Sequence, residues 1–174
     1  MRLVLAWLLL AMTPAALASA EGNYRLGSGD RIQIQVYGEE DLSIDGIRVG
    51  ESGTISYPYL GTVRLAGRTV KEVENQILQG LKGDYLVNPS VSVSVIEYRP
   101  FFINGEVRRP GSYPFQPGLT VRQAIAIAGG LTERASSRGL RLVRADNGGE
   151  RSLKVEMAFE VLPGDSIFIE DSFF

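Results

Sequence analysis

An alternation of apolar and polar side chains near residue 31 constrains the fold of this chain more than any other stretch. From Arg31 to Val36 every second residue is apolar, namely Ile32, Ile34 and Val36. This period of two predicts a β-strand with one buried face. Such a face must be covered, so the rest of the chain has to supply further strands and at least one helix that packs against it.

Two capping signals predict the helices. Thr69 is followed by Glu72, and Thr120 is followed by Gln123, so each threonine can cap a helix whose third residue bonds back to the cap. After the first cap, apolar residues continue at helical spacing: Val70, Val73, Ile77, Leu78 and Leu81. The sequence therefore predicts one helix in each half of the chain.

Further strands are predicted on both sides of these helices. Valine and serine alternate from Ser90 to Val95, and two hairpins are expected, one with strands at 47–49 and 54–57 and one with strands at 140–144 and 151–155. Helices and strands that share cores in this way predict an α+β fold.

The first 20 residues predict a secretory signal peptide. Arg2 precedes the apolar run Leu3–Met12, Pro14 breaks it, and Ala18-Ser19-Ala20 is a cleavage signature. The run is too short to span a bilayer. We expect cleavage after Ala20.

The residue types that are missing exclude several classes of function. The chain has no cysteine and no histidine, which excludes disulfides, thiol catalysis, a Ser-His-Asp triad and a histidine metal site. Its net charge of −2 does not favour nucleic-acid binding. A glycosidase-like carboxylate pair remains as the enzyme alternative, with candidates in turn-like sequence at Asp30, Glu39, Glu40, Asp41 and Asp45. Solvated turns are the favoured interpretation, with Asp30 accepting nearby backbone N–H groups.

The stretch from Tyr24 to Ser43 also carries a longer pattern. It reads Tyr-Arg-Leu-Gly-x-Gly-Asp-x-Ile-x-Ile-x-Val-x-Gly and then Asp-Leu-Ser, with Gly27, Gly29 and Asp30 in the turn. This pattern resembles the opening of the periplasmic domain of outer-membrane polysaccharide export proteins, the Wza type. Pro89, before the valine strand, also falls where that family's pattern expects it.

A second pattern follows Arg99-Pro100. Its residues are Gly105, Val107, Pro110, Gly111, Tyr113, Leu119 to Val121, Ala124, the run Ala128-Gly129-Gly130-Leu131, and Pro163-Gly164-Asp165 before Ile167 and Ile169. This half resembles a soluble-ligand-binding β-grasp (SLBB) domain. The expected division is a signal peptide at 1–20, a polysaccharide-export domain at 21–98 and an SLBB β-grasp domain at 99–174.

The resemblance implies a component of capsular or exopolysaccharide export that forms part of a conduit across the outer membrane. It implies a homo-oligomeric ring with polysaccharide as cargo, without enzyme activity or cofactor. After the leader no stretch approaches the ~20 apolar residues of a spanning helix, and without a cysteine no lipid tether forms. We therefore expect a periplasmic protein, peripherally associated with the outer membrane, between an outer-membrane β-barrel partner and an inner-membrane polysaccharide chain-length regulator.

Four residues are candidates for contact with polysaccharide or with a neighbouring subunit: Tyr57, Tyr59, Arg108 and Arg109. The tyrosines could instead cover a core, and the arginines could form an exposed basic turn. The alternative function is a soluble periplasmic glycan- or small-ligand-binding protein. A convergent aromatic pocket would favour that alternative, whereas a ring interface would favour export.

Overall fold

The computed structural model describes residues 24–146 and 149–172. The predicted leader at 1–20 and its cleavage site lie outside the described residues. A short 3-10 helix spans Glu40–Leu42, and the strands and helices in chain order are β1 Arg31–Val36, β2 Ile44–Arg48, β3 Thr54–Tyr57, β4 Gly61–Arg64, α1 Val70–Leu81, β5 Val91–Glu97, β6 Phe101–Gly105, β7 Gly111–Tyr113, α2 Val121–Ile127, β8 Ala135–Asp146, β9 Gly149–Lys154 and β10 Ser166–Asp171.

The first half is built around β1, as the alternation predicts. β1 lies between β2 and β5 in an antiparallel three-stranded sheet, and Ile32 pairs with Ile47 on one side and Val95 on the other. The buried face of α1, formed by Val73, Ile77 and Leu81, joins the same core as β1. Each fully buried aliphatic side chain of this kind contributes about 1.5–3 kcal/mol through removal from water.

Both helices begin with the predicted capping boxes. Thr69 Oγ1 accepts a hydrogen bond from the Glu72 N–H at 3.2 Å, and the Thr69 N–H donates to Glu72 Oε2 at 2.7 Å. At α2, Thr120 Oγ1 accepts from the Gln123 N–H and the Thr120 N–H donates to Gln123 Oε1. These contacts satisfy N–H groups that a helix leaves free in its first turn.

The predicted hairpin between 47–49 and 54–57 is wrong. β2 pairs with β1, whereas β3 pairs with β4 in a separate two-stranded ribbon. The Gly53 carbonyl accepts from the N–H groups of Leu65 and Ala66 at 2.9 and 3.0 Å, and this contact directs β3 toward β4. Alternation predicts that a segment is a strand, but it does not specify the strand's partner.

The second half is a five-stranded sheet in the order β7-β6-β10-β8-β9, covered on one face by α2. β10 runs parallel to β6 and antiparallel to β8. The predicted hairpin of β8 and β9 is confirmed, and residues 147–148 of its turn lie outside the described part. Val121, Ala124 and Ile125 of α2 are buried against this sheet.

The two halves have separate hydrophobic cores, one drawn from Leu26 to Val93 and the other from Phe101 to Ile169. This confirms the α+β fold class. Tyr98 and Arg99, which flank the expected boundary at 98/99, make contacts with both halves. That boundary therefore remains a prediction.

Candidate functional site

A buried carboxylate lies at the junction of the two halves. Asp30 is 0 % exposed and accepts four hydrogen bonds. Its Oδ2 accepts from Tyr24 Oη at 2.6 Å, the Gly27 N–H at 2.8 Å and Arg99 Nη1 at 3.1 Å, while its Oδ1 accepts from the Arg99 N–H at 2.8 Å. The turn predicted around Asp30 is therefore present, and it is joined to Arg99 69 positions further along the chain.

Arg99 lies close to glycines of both halves. A Cβ atom at Gly27 would stand 2.1 Å from Arg99 Nη1, and a Cβ at Gly164 would stand 2.6 Å from Arg99 Nε. A side chain at either position would displace the guanidinium group. This close approach explains the need for glycine at Gly27, whose φ is not positive.

Aromatic rings continue this junction across the halves. The Tyr98 ring meets the rings of Tyr24 and Phe115 edge-on, at centroid distances of 5.0 and 5.4 Å. The Arg99 guanidinium lies over the Tyr24 ring at 5.9 Å. Burial raises the pKa of the Tyr24 hydroxyl well above its ordinary value, and its hydrogen bond to Asp30 raises that pKa further. Tyr24 therefore remains a neutral donor.

A second buried carboxylate, Asp165, has the same arrangement in the second half. It is 1 % exposed and accepts from the Leu162 N–H, three residues earlier, as Asp30 accepts from Gly27. Arg144 donates to both of its oxygens, at 2.8 and 2.7 Å. These hydrogen bonds raise the pKa of Arg144. The two Gly-Asp turns that precede β1 and β10 are thus the same local structure, each completed by an arginine.

The junction is suited to holding the halves together rather than to chemistry on a substrate. Both carboxylate oxygens of Asp30 accept hydrogen bonds, and the side chain has no exposure to solvent. Glu39, Glu40, Asp41 and Asp45 are exposed on the surface of the first half. Among residues 24–146 and 149–172, no group of three or more acidic side chains is placed to hold a metal ion.

The candidate tyrosines have different surroundings. Tyr57 is 2 % exposed, and its hydroxyl donates to the Leu42 carbonyl at 2.8 Å. Burial raises the pKa of Tyr57 to about 12. Its ring belongs to the core, so it does not reach a surface where polysaccharide or a second subunit would lie.

Tyr59, by contrast, is 67 % exposed and stacks on Tyr85 with ring centroids 4.7 Å apart. Its φ of 62° is the only positive value among the described non-glycine residues. This left-handed conformation costs roughly 1–2 kcal/mol for a residue with a Cβ atom. Tyr59 is therefore held on the surface in a strained turn between β3 and β4.

Arg108 and Arg109 lie in the exposed connection between β6 and β7, as predicted. Their N–H groups donate to the carbonyls of Gly130 and Ala128, and Arg109 Nη2 donates to the Ile127 carbonyl at 3.1 Å. The arginines therefore lie beside the C-terminal end of α2 and present positive charge to solvent.

Most other motif residues shape turns. Gly105 has φ 86°, and a Cβ atom there would lie 2.0 Å from the Ile169 carbonyl oxygen. The remaining motif positions lie in connections or at strand ends of the described chain: Gly29, Pro89, Pro110, Gly111, Gly129, Gly130, Pro163 and Gly164. They position the elements and present no reactive groups.

Sequence reasoning missed two participants. The sequence marks Arg99 only as a boundary residue, and it does not single out Tyr85 as a partner for Tyr59. The Arg-Pro pair after the valine strand gave no signal for Arg99, because its carboxylate partner is distant in sequence. The signal for Tyr85 in the sequence is its position just after the predicted end of a helix. That position alone does not indicate that the Tyr85 ring lies close to Tyr59.

A further surface feature is an open groove of about 350 Å³ between the halves, which includes Tyr98, Tyr113 and Phe115. Within the described part of the chain, neither helix has the length and apolar character needed to cross a membrane.

Comparison with protein families gives two adjacent matches. Residues 18–96 match the polysaccharide biosynthesis/export protein family, and residues 100–155 match the SLBB domain. The order is the one expected from the sequence patterns.

Individual relatives point to the same family. The chain is 36 % identical to the exopolysaccharide production protein ExoF of Rhizobium meliloti, over 84 % of this chain and 37 % of that protein. It is 29 % identical to the EPS I polysaccharide export outer membrane protein EpsA of Ralstonia nicotianae, over 70 % of this chain and 38 % of EpsA. It is 28 % identical to the polysialic acid transport protein KpsD of Escherichia coli, over 66 % of this chain and 21 % of KpsD. The chain thus spans less than half the length of these relatives, which are export and production proteins.

Proposed function

Because residues 18–96 match the polysaccharide biosynthesis/export family and residues 100–155 match the SLBB domain, this chain belongs to the polysaccharide export family, and we propose that it is a component of the conduit that carries capsular polysaccharide or exopolysaccharide across the outer membrane. The observation that carries this proposal is the pair of adjacent domain matches together with the 36 % identity to ExoF. The matched family is a polysaccharide biosynthesis/export family, and the relatives EpsA and KpsD are export and transport proteins. The chain's role is accordingly transport without covalent chemistry.

We infer a mechanism based on assembly geometry. Identical subunits that repeat one head-to-tail contact close into a ring around a hydrated hole. The buried junction at Asp30 and Arg99 supports this proposal, because it fixes the orientation of the two halves within each subunit. Arg108 and Arg109, exposed beside α2, are proposed as contacts with a neighbouring subunit or with an anionic chain.

The proposed location is the periplasm, in peripheral association with the outer membrane after cleavage of the leader. An outer-membrane β-barrel and an inner-membrane polysaccharide chain-length regulator are the proposed partners. Washing isolated outer membranes at alkaline pH should release the protein. Retention after this wash in a strain without the barrel would contradict peripheral association.

Deletion of the gene tests the central proposal. We expect surface polysaccharide to disappear while synthesis inside the cell continues, and a plasmid copy to restore export. The Asp41→Asn variant, which changes an exposed turn residue, serves as the matched control and should restore export fully. Normal surface polysaccharide in the deletion strain would refute an export function.

A soluble periplasmic glycan- or small-ligand-binding protein is the second candidate. The observation that favours it is the aromatic groove between the halves, since sites for small ligands are concave and rich in aromatic side chains. Sedimentation over a range of concentrations, with and without membrane extracts, distinguishes the two. A monomer under every condition would favour the soluble binder, and a concentration-dependent oligomer would favour export.

A further inference from the structure

One face of α1 is polar and borders an open cavity. The cavity measures about 660 Å³ and is lined by Arg25, Arg68, Glu72, Asn75, Gln76 and Gln79. Residues 72, 75, 76 and 79 are spaced so that they share one side of a helix. We call this surface, together with Tyr59 and Tyr85, the α1 groove.

The side chains that line the cavity are polar or charged, and they offer hydrogen-bond donors and acceptors beside their own apolar carbon atoms. Arg25 Nη1 donates to the Gly67 carbonyl at 2.6 Å and pairs with Glu72 at 3.4 Å. Gln76 Oε1 is buried and has no hydrogen-bond partner among the described residues. A buried acceptor is costly when unpaired, so a rotation of the Gln76 side chain that brings its carboxamide to a ligand hydroxyl in the cavity would be stabilised.

The turn that carries Tyr59 reaches α1 at Gly80, the residue that follows Gln79 of the cavity lining. Gly80 lies one turn after Gln76, and a Cβ atom there would lie 2.8 Å from Leu60, the neighbour of Tyr59. Tyr85 follows the end of the same helix and stacks on Tyr59. About 10 Å of helix separates Glu72 from Gln79, and Tyr85 lies beyond the end of the helix, so the groove is longer than one sugar residue.

We propose that the α1 groove binds a short segment of the exported polysaccharide. This inference rests on the proposed function. The exposed face of the Tyr59–Tyr85 pair packs on the apolar C–H face of a sugar ring, and the carboxamides and guanidinium groups bond its hydroxyls. An open, shallow surface lets the chain bind weakly and move on. The charged residues Arg25, Arg68 and Glu72 in its lining distinguish it from the core of a subunit interface, which is depleted of charged residues.

The strained backbone at Tyr59 is consistent with this role. Glycine or asparagine occupies the left-handed region more readily than tyrosine. The turn nevertheless places a large ring outward, at 67 % exposure, instead of a small residue. Strain retained at a surface position points to a function for the side chain.

Affinity electrophoresis tests the inference. The probe is exopolysaccharide purified from the strain that carries the gene, cast at increasing concentration in native gels. We expect the purified protein to be retarded, and Tyr59→Asn and Gln79→Ala each to weaken binding about tenfold, which corresponds to a loss of about 1.4 kcal/mol. Asparagine tolerates the conformation of Tyr59, so the first variant should fold.

Matched controls lie in the second half. Phe102→Thr removes a ring that is 41 % exposed on β6, and Gln116→Ala removes an exposed carboxamide. Both should bind as the unchanged protein does. The inference would be overturned if the unchanged protein showed no retardation, or if Tyr59→Asn and Gln79→Ala were retarded as strongly as the unchanged protein. Tyr59→Asn could instead change the oligomeric state in sedimentation while its retardation equals that of the unchanged protein. That result would identify the groove as a subunit contact and would also overturn the inference.

Export measured in the deletion strain separates this inference from the proposed function. If the unchanged gene restores export but the purified protein is not retarded by the polysaccharide in gels, polysaccharide binding at the α1 groove is refuted and the export function stands. If the deletion strain exports normally, the proposed function itself fails.

Discussion

Replacing Asp30 with asparagine should destabilise the protein severely while preserving the shape of the side chain. The amide can keep its oxygen toward Tyr24, Gly27 and Arg99 Nη1. Its NH₂ group then faces the Arg99 N–H, which now donates to Oδ1 at 2.8 Å. Two donors would meet in a site that is 0 % exposed.

The magnitude follows from two terms. A buried N–H left without an acceptor costs about 1–3 kcal/mol. Removing one partner of a buried ion pair costs about 3–5 kcal/mol, and the lower end applies because the Arg99 side chain is 24 % exposed. The terms overlap, so we expect Asp30→Asn to lower the free energy of unfolding by about 3 kcal/mol, a large fraction of the roughly 5–15 kcal/mol typical of a folded domain.

Urea denaturation followed by far-UV circular dichroism is the suitable assay, because the single tryptophan, Trp7, lies in the predicted leader. Asp41→Asn, an exposed carboxylate in the first half, is the control and should change stability by less than about 0.5 kcal/mol. A double-mutant cycle with Arg99→Met measures how strongly the two residues are coupled. Equal midpoints for Asp30→Asn and Asp41→Asn would refute the role assigned to the junction.

Three further predictions concern stability. Thr69→Ala and Thr120→Ala should each cost about 0.5–2 kcal/mol through loss of a helix cap; an unchanged urea midpoint at either site would contradict the cap. The raised pKa of Tyr57, about 12, means that the unfolded chain loses the Tyr57 hydroxyl proton at lower pH than the folded chain does. The contribution of Tyr57 to stability should therefore be complete below about pH 10 and fall as the pH rises through that value toward 12. Tyr57→Phe should flatten this decline, and an equally steep decline in that variant would contradict the role of Tyr57. Gly105→Ala should prevent folding or lower the thermal midpoint strongly, since its Cβ would meet the Ile169 carbonyl oxygen; a soluble variant with the original midpoint would contradict this.

Much of the fold follows from local signals in the sequence. The alternation around β1, the valine strand and both capping boxes predict elements that the structure contains. These signals are reliable because a cap or an alternating face depends on residues only a few positions apart. The hairpin predicted before β3 failed because strand pairing depends on distant partners.

The candidate site was less accessible to sequence reasoning. Asp30 was recognised as a turn residue, but its partner Arg99 lies 69 positions away. In the sequence, Gly29-Asp30 and Gly164-Asp165 each precede two alternating isoleucines. The structure adds that each aspartate binds an arginine, Arg99 in one case and Arg144 in the other. Sequence alone gives no distance between such groups.

Tyr57 and Tyr59 separate what the sequence determined from what only the tertiary structure decided. The sequence determined the domain patterns, the helix starts and the position of two tyrosines on either side of Pro58. Residues two apart on a strand share a face, so the pattern alone treats both rings alike. The structure buries Tyr57 in the first core, whereas a left-handed turn takes Tyr59 out of the alternation and stacks it on Tyr85. The tertiary structure therefore decides that the Tyr57 ring stabilises the core, whereas the positive φ at Tyr59 places the Tyr59 ring on the surface.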